Sequence, residues 1–155
     1  MILDIIIPGA PHAQGRARFA RIGDHVRTYD PKESKDWKSY AKVLLWEAVA
    51  KQGGGIFIQD GAVCLRVLAC FACTSTDAKK KSIRECGNRW HTKKPDLDNI
   101  IKAIKDAGRS ILWTDDSQVS AIHAEKIVLR PGESPFVQIS VCKMGGGSDG
   151  QVATL

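Results

Sequence analysis

The chain has 155 residues, of which 43% are hydrophobic, so it suits one domain with its own core and leaves little room for a second. Its formal net charge of +6 favours a polyanionic partner, either nucleic acid or an acidic membrane surface. No apolar run approaches the roughly 18 residues of a membrane-spanning helix, and the five cysteines lack the dense spacing of a secreted disulfide scaffold. We therefore expect a soluble, cytoplasmic protein with reduced thiols.

The N-terminal third predicts a strand, a hairpin and a helix. MILDIIIP is too short for the apolar region of a signal peptide and carries an acid, so it indicates a strand. RFAR and HVRTY flank Gly23 and Asp24, which predicts a hairpin. A helix should begin at Asp30 and Pro31, where a missing N–H costs nothing, and end at Gly53 to Gly55. The arginines of this region form a first basic cluster: Arg16, Arg18, Arg21 and Arg27.

The middle of the chain predicts a buried strand followed by a second basic cluster. GAVCLRVLACFACT is apolar and β-rich, which favours a central strand over about residues 62–73. Residues 79–94 then hold seven Lys or Arg against one Glu, in a loop with a short helix at about 78–85. Such a run is either a solvated face or an approach surface for DNA. Its cations are Lys79, Lys80, Lys81, Arg84, Arg89, Lys93 and Lys94.

Two other features in the middle of the chain, a CxxC motif and a tryptophan, can be interpreted either as structural or as functional. Cys70 and Cys73 form a CxxC, but residues three apart on a strand face opposite sides of the sheet, so we expect packing rather than a zinc site. Trp90 lies within the second basic cluster and could stack on an unpaired base. We expect it to pack against the core instead.

KPDLDNIIKAIKDAG, residues 94–108, predicts an amphipathic helix with two acids at its start. Asp98 and Lys102 are four residues apart and would lie one above the other, which as an ordinary surface feature is an ion pair. Together they fall on a side of the helix away from its apolar stripe. The stripe consists of Leu97, Ile100, Ile101 and Ile104.

Four acids in two pairs suggest a cation site. Asp96 follows Pro95 and is therefore extended or turn-like, so it can present its carboxylate to the same side as Asp98. The ordinary role of such an acid is a helix cap. Mg²⁺ prefers oxygen ligands and takes one or two protein carboxylates. In WTDDSQV, side chains of successive extended residues point opposite ways, so we expect one of Asp115 and Asp116 to face that site.

PDLDNIIKAIKDAG followed by WTDDSQV closely resembles the signature of the RusA-type Holliday-junction resolvases, small metal-dependent endodeoxyribonucleases of bacteria and their phages. PGAPHAQGRARF and TYDPKESKDW also resemble stretches of relatives, so the similarity extends from the first strand to about Lys143. The resemblance implies a mixed α/β (α+β) fold in a single domain, residues 1–143, and a homodimer on branched DNA. Residues 144–155 have the composition of a flexible Gly-rich tail.

The resemblance also implies roles for single residues. Three acids would be catalytic carboxylates that bind Mg²⁺, with Mn²⁺ as an alternative ion: Asp96, Asp98 and Asp116. Lys102 would be the catalytic lysine, and Asp115 and Asn99 would be accessory positions. The two basic clusters would bind the DNA backbone without reading its sequence, and this binding would weaken with salt.

The expected activity is therefore Mg²⁺-dependent, structure-selective hydrolysis of branched DNA in recombination or repair, by a crossover-junction endodeoxyribonuclease encoded by a bacterium or a phage. Two alternatives remain open. The first is a basic DNA-binding module without catalysis, in which Asp96 caps a helix. The second is another DxD phosphotransfer enzyme, such as a haloacid-dehalogenase-type phosphatase. In that class the acids follow an apolar strand, whereas here they follow His-Thr-Lys-Lys-Pro.

Overall fold

The computed structural model describes residues 1–15, 18–23, 25–85 and 87–145. Arg16, Asp24, Cys86 and the tail from residue 146 lie outside the described residues, as do the side chains of Arg18, Arg27 and Arg84. In chain order the elements are β1 (Ile2–Pro8), β2 (Arg18–Ile22), β3 (His25–Tyr29), α1 (Lys32–Ala50), β4 (Val63–Phe71), α2 (Ser75–Ala78), α3 (Lys81–Glu85), β5 (Arg89–Trp90), α4 (Leu97–Gly108), β6 (Val119–Val128) and β7 (Phe136–Lys143).

Five strands form one mixed sheet in the order β1-β7-β4-β6-β5. β4 and β6 are parallel, and the other neighbouring pairs are antiparallel. The predicted central strand is confirmed as β4, which is slightly shorter than expected. Its near-continuous apolar run follows from this position, because a strand flanked on both edges and packed on a face has few exposed side chains.

Two helices pack against one face of the sheet and make the core. α1 buries Ala41, Leu45 and Val49, and β1 faces it with every second residue, as the period of a strand requires. α4 buries Ile100 and Ile104 together with smaller residues toward its end, whereas the expected stripe members Leu97 and Ile101 are only partly buried. The α+β fold predicted from the sequence is confirmed.

The hairpin β2–β3 forms a separate two-stranded sheet, as predicted. Its base is attached to the two main helices. The side chain of Gln14 donates a 2.9 Å hydrogen bond to Asp30, at the end of the hairpin. Lys38 on α1 donates a 2.6 Å bond to Asp30 and lies 3.6 Å from Asp106 on α4. These bonds fix the end of the hairpin, at Asp30, beside α1 and α4.

The basic segment after β4 is more broken than predicted. The expected short helix at about 78–85 is two short helices, α2 and α3, which lead into the two-residue edge strand β5. Cys70 is fully buried in β4, and burial raises the pKa of its thiol to about 11, so it stays protonated at neutral pH. Within the described residues, no helix is long and apolar enough to cross a membrane.

Candidate active site

The first two acids lie at the N-terminus of α4 with open carboxylates. Asp96 occupies the N-cap position, with φ −72° and ψ 144°, yet its side chain makes no capping hydrogen bond. Asp98 lies in the first turn, and both residues are exposed. Across the described part of the chain, neither carboxylate has a hydrogen-bond or ion-pair partner. A helix N-terminus stabilises negative charge, and two open carboxylates suit a hard divalent cation.

Lys102 lies one turn after Asp98 and is exposed. The ordinary i,i+4 ion pair with Asp98 does not form, and the ammonium group has no ion-pair partner among the residues that the structure describes. Asn99 lies between them and uses its backbone carbonyl to accept a 2.9 Å hydrogen bond from the backbone N–H of Gln14. The structure thus brings Asp96, Asp98 and Lys102 together on the first two turns of α4.

Asp115 has a structural role as the N-cap of a short turn. It caps a short 3₁₀ turn at residues 116–118, where one carboxylate oxygen accepts a 3.0 Å bond from the backbone N–H of Ser117. Gln118 completes a capping box by accepting a 2.9 Å bond from the backbone N–H of Asp115. The other carboxylate oxygen accepts a 2.9 Å bond from Arg109. The Ser117 bonds, followed by the Arg109 charge, lower the pKa of Asp115.

Asp116 is oriented by a buried tryptophan. The indole Nε1 of Trp113 donates a 2.8 Å hydrogen bond to Oδ1 of Asp116, and Trp113 is fully buried. Its ring packs so closely on Gly108 that a Cβ atom there would lie 3.0 Å from the ring edge. A side chain at this position would therefore have to displace the indole ring or Leu112 slightly. This contact joins the end of the first motif, PDLDNIIKAIKDAG, to the second motif, WTDDSQV.

Asp116 and the other two acids lie at opposite ends of α4 within one chain. At the N-terminal end, the ammonium group of Lys126 donates a 2.6 Å bond to the carbonyl of Pro95. At the C-terminal end, the Trp113 ring that holds Asp116 contacts Gly108. The ten residues from Asp98 to Gly108 span roughly 15 Å of helix. Accordingly, no group of three or more His, Cys, Asp or Glu in the described ranges lies close enough together to hold a metal ion.

The cations of the second basic cluster divide into two groups. Arg89 and Lys80 are both paired with Asp77, at 2.9 and 3.0 Å, and together they lower the pKa of Asp77 to about 2. These two residues tie α2 to its surroundings. In contrast, Lys93 and Lys94, directly before the acids, are exposed and have no ion-pair partner among the described residues. Lys79 is exposed as well, and so is Arg21 on the β2–β3 hairpin, which donates a 3.2 Å bond to the carbonyl of Gly23. Lys81 is exposed but makes a contact of its own.

The expectation that Trp90 packs against the core is wrong, since its side chain is 68% exposed. It lies on β5, the two-residue edge strand. Its register partner on β6 is Ile127, which in turn lies opposite Cys70. Cys70 follows Ala69, whose side chain lies in the core on the face that the helices cover. Neighbouring residues of a strand point to opposite faces, so Cys70, Ile127 and Trp90 point to the sheet face that α1 and α4 do not cover.

Three residues to which the sequence assigned no role shape the site. Trp113 orients Asp116, and Gln118 also donates to the carbonyls of Gln59 and Gly61, which fixes the WTDDSQV turn to the loop before β4. Lys126 holds the loop before α4. The spacing of Trp113 three residues before Asp116 was visible but carried no chemical meaning alone, and the contact of Lys126 spans 31 residues.

The chain resembles a known protein family and a bacterial protein. The sequence profile of the family described as Endodeoxyribonuclease RusA matches residues 8–141. The chain is also 34% identical over 136 residues to the uncharacterized protein YqaN of Bacillus subtilis (strain 168), which covers 86% of this chain and 90% of that protein. Both acidic pairs and both basic clusters lie within the range that the family profile matches.

Proposed function

The chain belongs to the RusA endodeoxyribonuclease family, a family of DNA nucleases, and from this premise we propose that it is a Mg²⁺-dependent endonuclease that resolves Holliday junctions or related branched DNA. The observation that carries the proposal is the pair of open carboxylates of Asp96 and Asp98 at a helix N-terminus, directly behind the exposed Lys93 and Lys94. Carboxylates with no protein partner are available to a cation, and lysines beside them are available to phosphates.

The chemistry divides between a bound ion and the protein. Asp96 and Asp98 would hold Mg²⁺, with Asp116 as a third carboxylate. When bound, the ion lowers the pKa of a water molecule and neutralises charge on the phosphate oxygens. Lys102 projects from the turn after Asp98 without an ion-pair partner among the described residues. Its ammonium group can therefore neutralise charge that develops on the scissile phosphate or its leaving oxygen.

Because Asp116 lies at the far end of α4, we place the third carboxylate on a second copy of the chain. In a twofold dimer whose α4 helices run antiparallel, each helix N-terminus lies beside the C-terminal end of its partner. One symmetry operation then completes both sites at once. It also supplies two sites for one branched substrate, as paired strand cleavage requires. This arrangement accounts for the separation of the acids without displacing any element of the fold.

Lys79, Lys93, Lys94 and Arg21, which are exposed, would bind the DNA backbone. Their contacts would be independent of sequence, and junction affinity should fall steeply between low and moderate salt because bound phosphates release counterions. Arg89 and Lys80 would contribute less, since both are already paired with Asp77. Fewer basic residues would therefore bind DNA than the two basic clusters contain.

The proposal is tested with labelled four-way junction, fork and duplex DNA in Mg²⁺, Ca²⁺ or EDTA. Wild-type protein should nick the branched substrates in Mg²⁺ alone. Asp98→Asn should lose cleavage and keep junction binding, while Glu47→Gln, which removes an acid from α1, should behave as wild type. A wild-type protein that binds junctions but never nicks them in Mg²⁺ would instead be a DNA-binding module. Release of phosphate from a small phosphomonoester would indicate a phosphatase.

A further inference from the structure

Trp90 is displayed to solvent on a backbone that is fixed on both sides. Its side chain is 68% exposed. Before it, Arg89 donates a 2.9 Å bond to Asp77. After it, the backbone N–H of His91 donates a 3.0 Å bond to a carbonyl on β6, and the His91 ring stacks on Phe71 with centroids 4.1 Å apart. A large aromatic side chain held this firmly in water is typical of a binding surface, because its apolar area remains available to a partner.

The segment after Trp90 adds positive charge and leads to the acids. Lys93 and Lys94 are exposed two and three residues after His91. Lys126 on β6 donates bonds of 2.7 Å to the carbonyl of Lys93 and 2.6 Å to the carbonyl of Pro95. The whole segment is therefore held against β6 at both ends. An indole ring, two ammonium groups and the first carboxylate follow one another in the sequence. The ring lies on the sheet face away from α4, and Lys126 holds residues 93–95 on the face that α4 covers, so the segment passes around the β5 edge of the sheet.

We propose that Trp90 stacks on an unpaired DNA base whose neighbouring phosphates are bound by Lys93 and Lys94. In a continuous duplex both faces of every base are covered by neighbouring bases, so an exposed indole finds a free base face only at a branch point, a fork or a single strand. Stacking tolerates any base, because each base has a π-face. Trp90 thus selects branched or single-stranded DNA over duplex DNA. The inference rests on the proposed function for its substrate class.

A protein partner for the same ring is disfavoured by the lysines. An apolar protein surface that covered Trp90 and continued around the β5 edge would also meet the ammonium groups of Lys93 and Lys94, and unpaired charges are unstable in a dry interface. Phosphates, in contrast, supply the opposite charge at the spacing of a nucleic-acid backbone. The mixture of one aromatic ring and adjacent cations matches a single-strand binding surface.

The test compares two exposed tryptophans on different elements of the fold. Trp46 is 52% exposed on α1, a helix that packs against the β1 edge of the sheet, whereas β5 forms the other edge. Binding of four-way junction, single-stranded and duplex DNA would be measured in EDTA for Trp90→Ala and Trp46→Ala. Trp90→Ala should weaken junction and single-strand binding about tenfold and leave duplex binding within about twofold. Trp46→Ala should change none of the three.

Fluorescence and oligomeric state give the second readout. Single-stranded DNA should quench the emission of Trp46→Ala protein and leave that of Trp90→Ala protein unchanged. An equal loss on all three DNAs, no loss on any, or a change of oligomeric state caused by Trp90→Ala would overturn the inference, the last because the ring would then lie between copies of the chain. A wild-type protein that shows the stacking pattern but never cleaves would contradict the nuclease proposal and leave the stacking intact.

Discussion

The indole N–H of Trp113 donates a 2.8 Å hydrogen bond to Oδ1 of Asp116. The ring that delivers it is fully buried against Gly108, where even a methyl group would come within 3.0 Å. This contact joins the end of the acidic helix to the second acidic pair and fixes the direction of one carboxylate. Within the described residues, Oδ2 of Asp116 has no hydrogen-bond partner, so it remains open to a cation or a second chain.

Trp113→Phe should weaken metal binding more than it weakens folding. Phenylalanine retains most of the packing but removes the donor, and loss of a group that orients a ligand typically costs 10- to 100-fold in metal affinity. We expect the Mg²⁺ concentration for half-maximal junction cleavage to rise about tenfold. Mn²⁺ binding measured by calorimetry without DNA should weaken in parallel.

The control for this change is Trp37→Phe, which alters a tryptophan on α1 whose ring stacks on His12. It should leave the metal dependence unchanged. The positioning role of Trp113 is excluded if Trp113→Phe lowers the maximal rate and thermal stability but leaves both metal measurements at the wild-type value.

Asp115→Ala should reduce stability and leave the metal dependence alone. The substitution removes the cap on the Ser117 N–H and the ion pair with Arg109. Loss of an N-cap carboxylate costs about 1 kcal/mol in the free energy of unfolding, which urea denaturation can measure.

Asp115→Asn separates the cap from the charge. Asparagine caps nearly as well as aspartate, so this variant should recover most of the lost stability. It should also cleave junction DNA with the wild-type Mg²⁺ dependence. If it instead abolishes cleavage as Asp116→Asn is expected to do, Asp115 acts as a ligand rather than as a cap.

Acidification should destabilise the segment that carries Trp90. Burial is the main cause that lowers the pKa of His91 below its ordinary 6.5, and Nδ1 of its ring is buried without a partner in the described structure. The unfolded chain therefore binds this proton more readily than the folded chain, so stability falls as the pH drops through the unfolded value. From about pH 7.5 to about pH 5.5, the melting temperature of wild type should fall relative to His91→Phe.

The neighbouring ion pairs do not account for such an effect, because the pKa of Asp77 is held at about 2 by Lys80 and Arg89. A depressed carboxylate pKa contributes stability that is lost only as the pH falls toward that value. If the difference between wild type and His91→Phe stays constant over the tested range, His91 is not the titrating group.

Local signals in the sequence were sufficient for most of the elements. Pro31 and the glycines from Gly53 delimit α1, and Gly23 marks the turn of the hairpin. The exposure of Trp90 could not be predicted in this way, because it depends on β5 being a short edge strand whose row faces away from the helices. Local sequence does not report strand order.

The candidate site shows the same division between local and long-range information. The spacing of Asp96, Asp98 and Lys102 is set within one helix and was predicted from the sequence. The position of Asp116 depends on the chain reversing between α4 and β6, which carries it to the far end of the helix. The sequence predicted Asp116 as the third carboxylate but not which end of α4 it would occupy.

Subunit mixing tests the two-chain site most directly. Asp98→Asn and Asp116→Asn proteins, each inactive alone, would be unfolded together, refolded and assayed for junction nicking in Mg²⁺. If each site takes Asp98 from one chain and Asp116 from the other, every mixed dimer contains one intact site. Random mixing makes half the dimers mixed, so about a quarter of wild-type nicking should return.

Mixing Asp98→Asn with Asp96→Asn is the control, because both sites of that mixed dimer keep a defect and nicking should not return. The account predicts activity in the first mixture and none in the second. Mixed dimers of Asp98→Asn and Asp116→Asn, verified by two different tags, that nick no faster than either variant alone would contradict it.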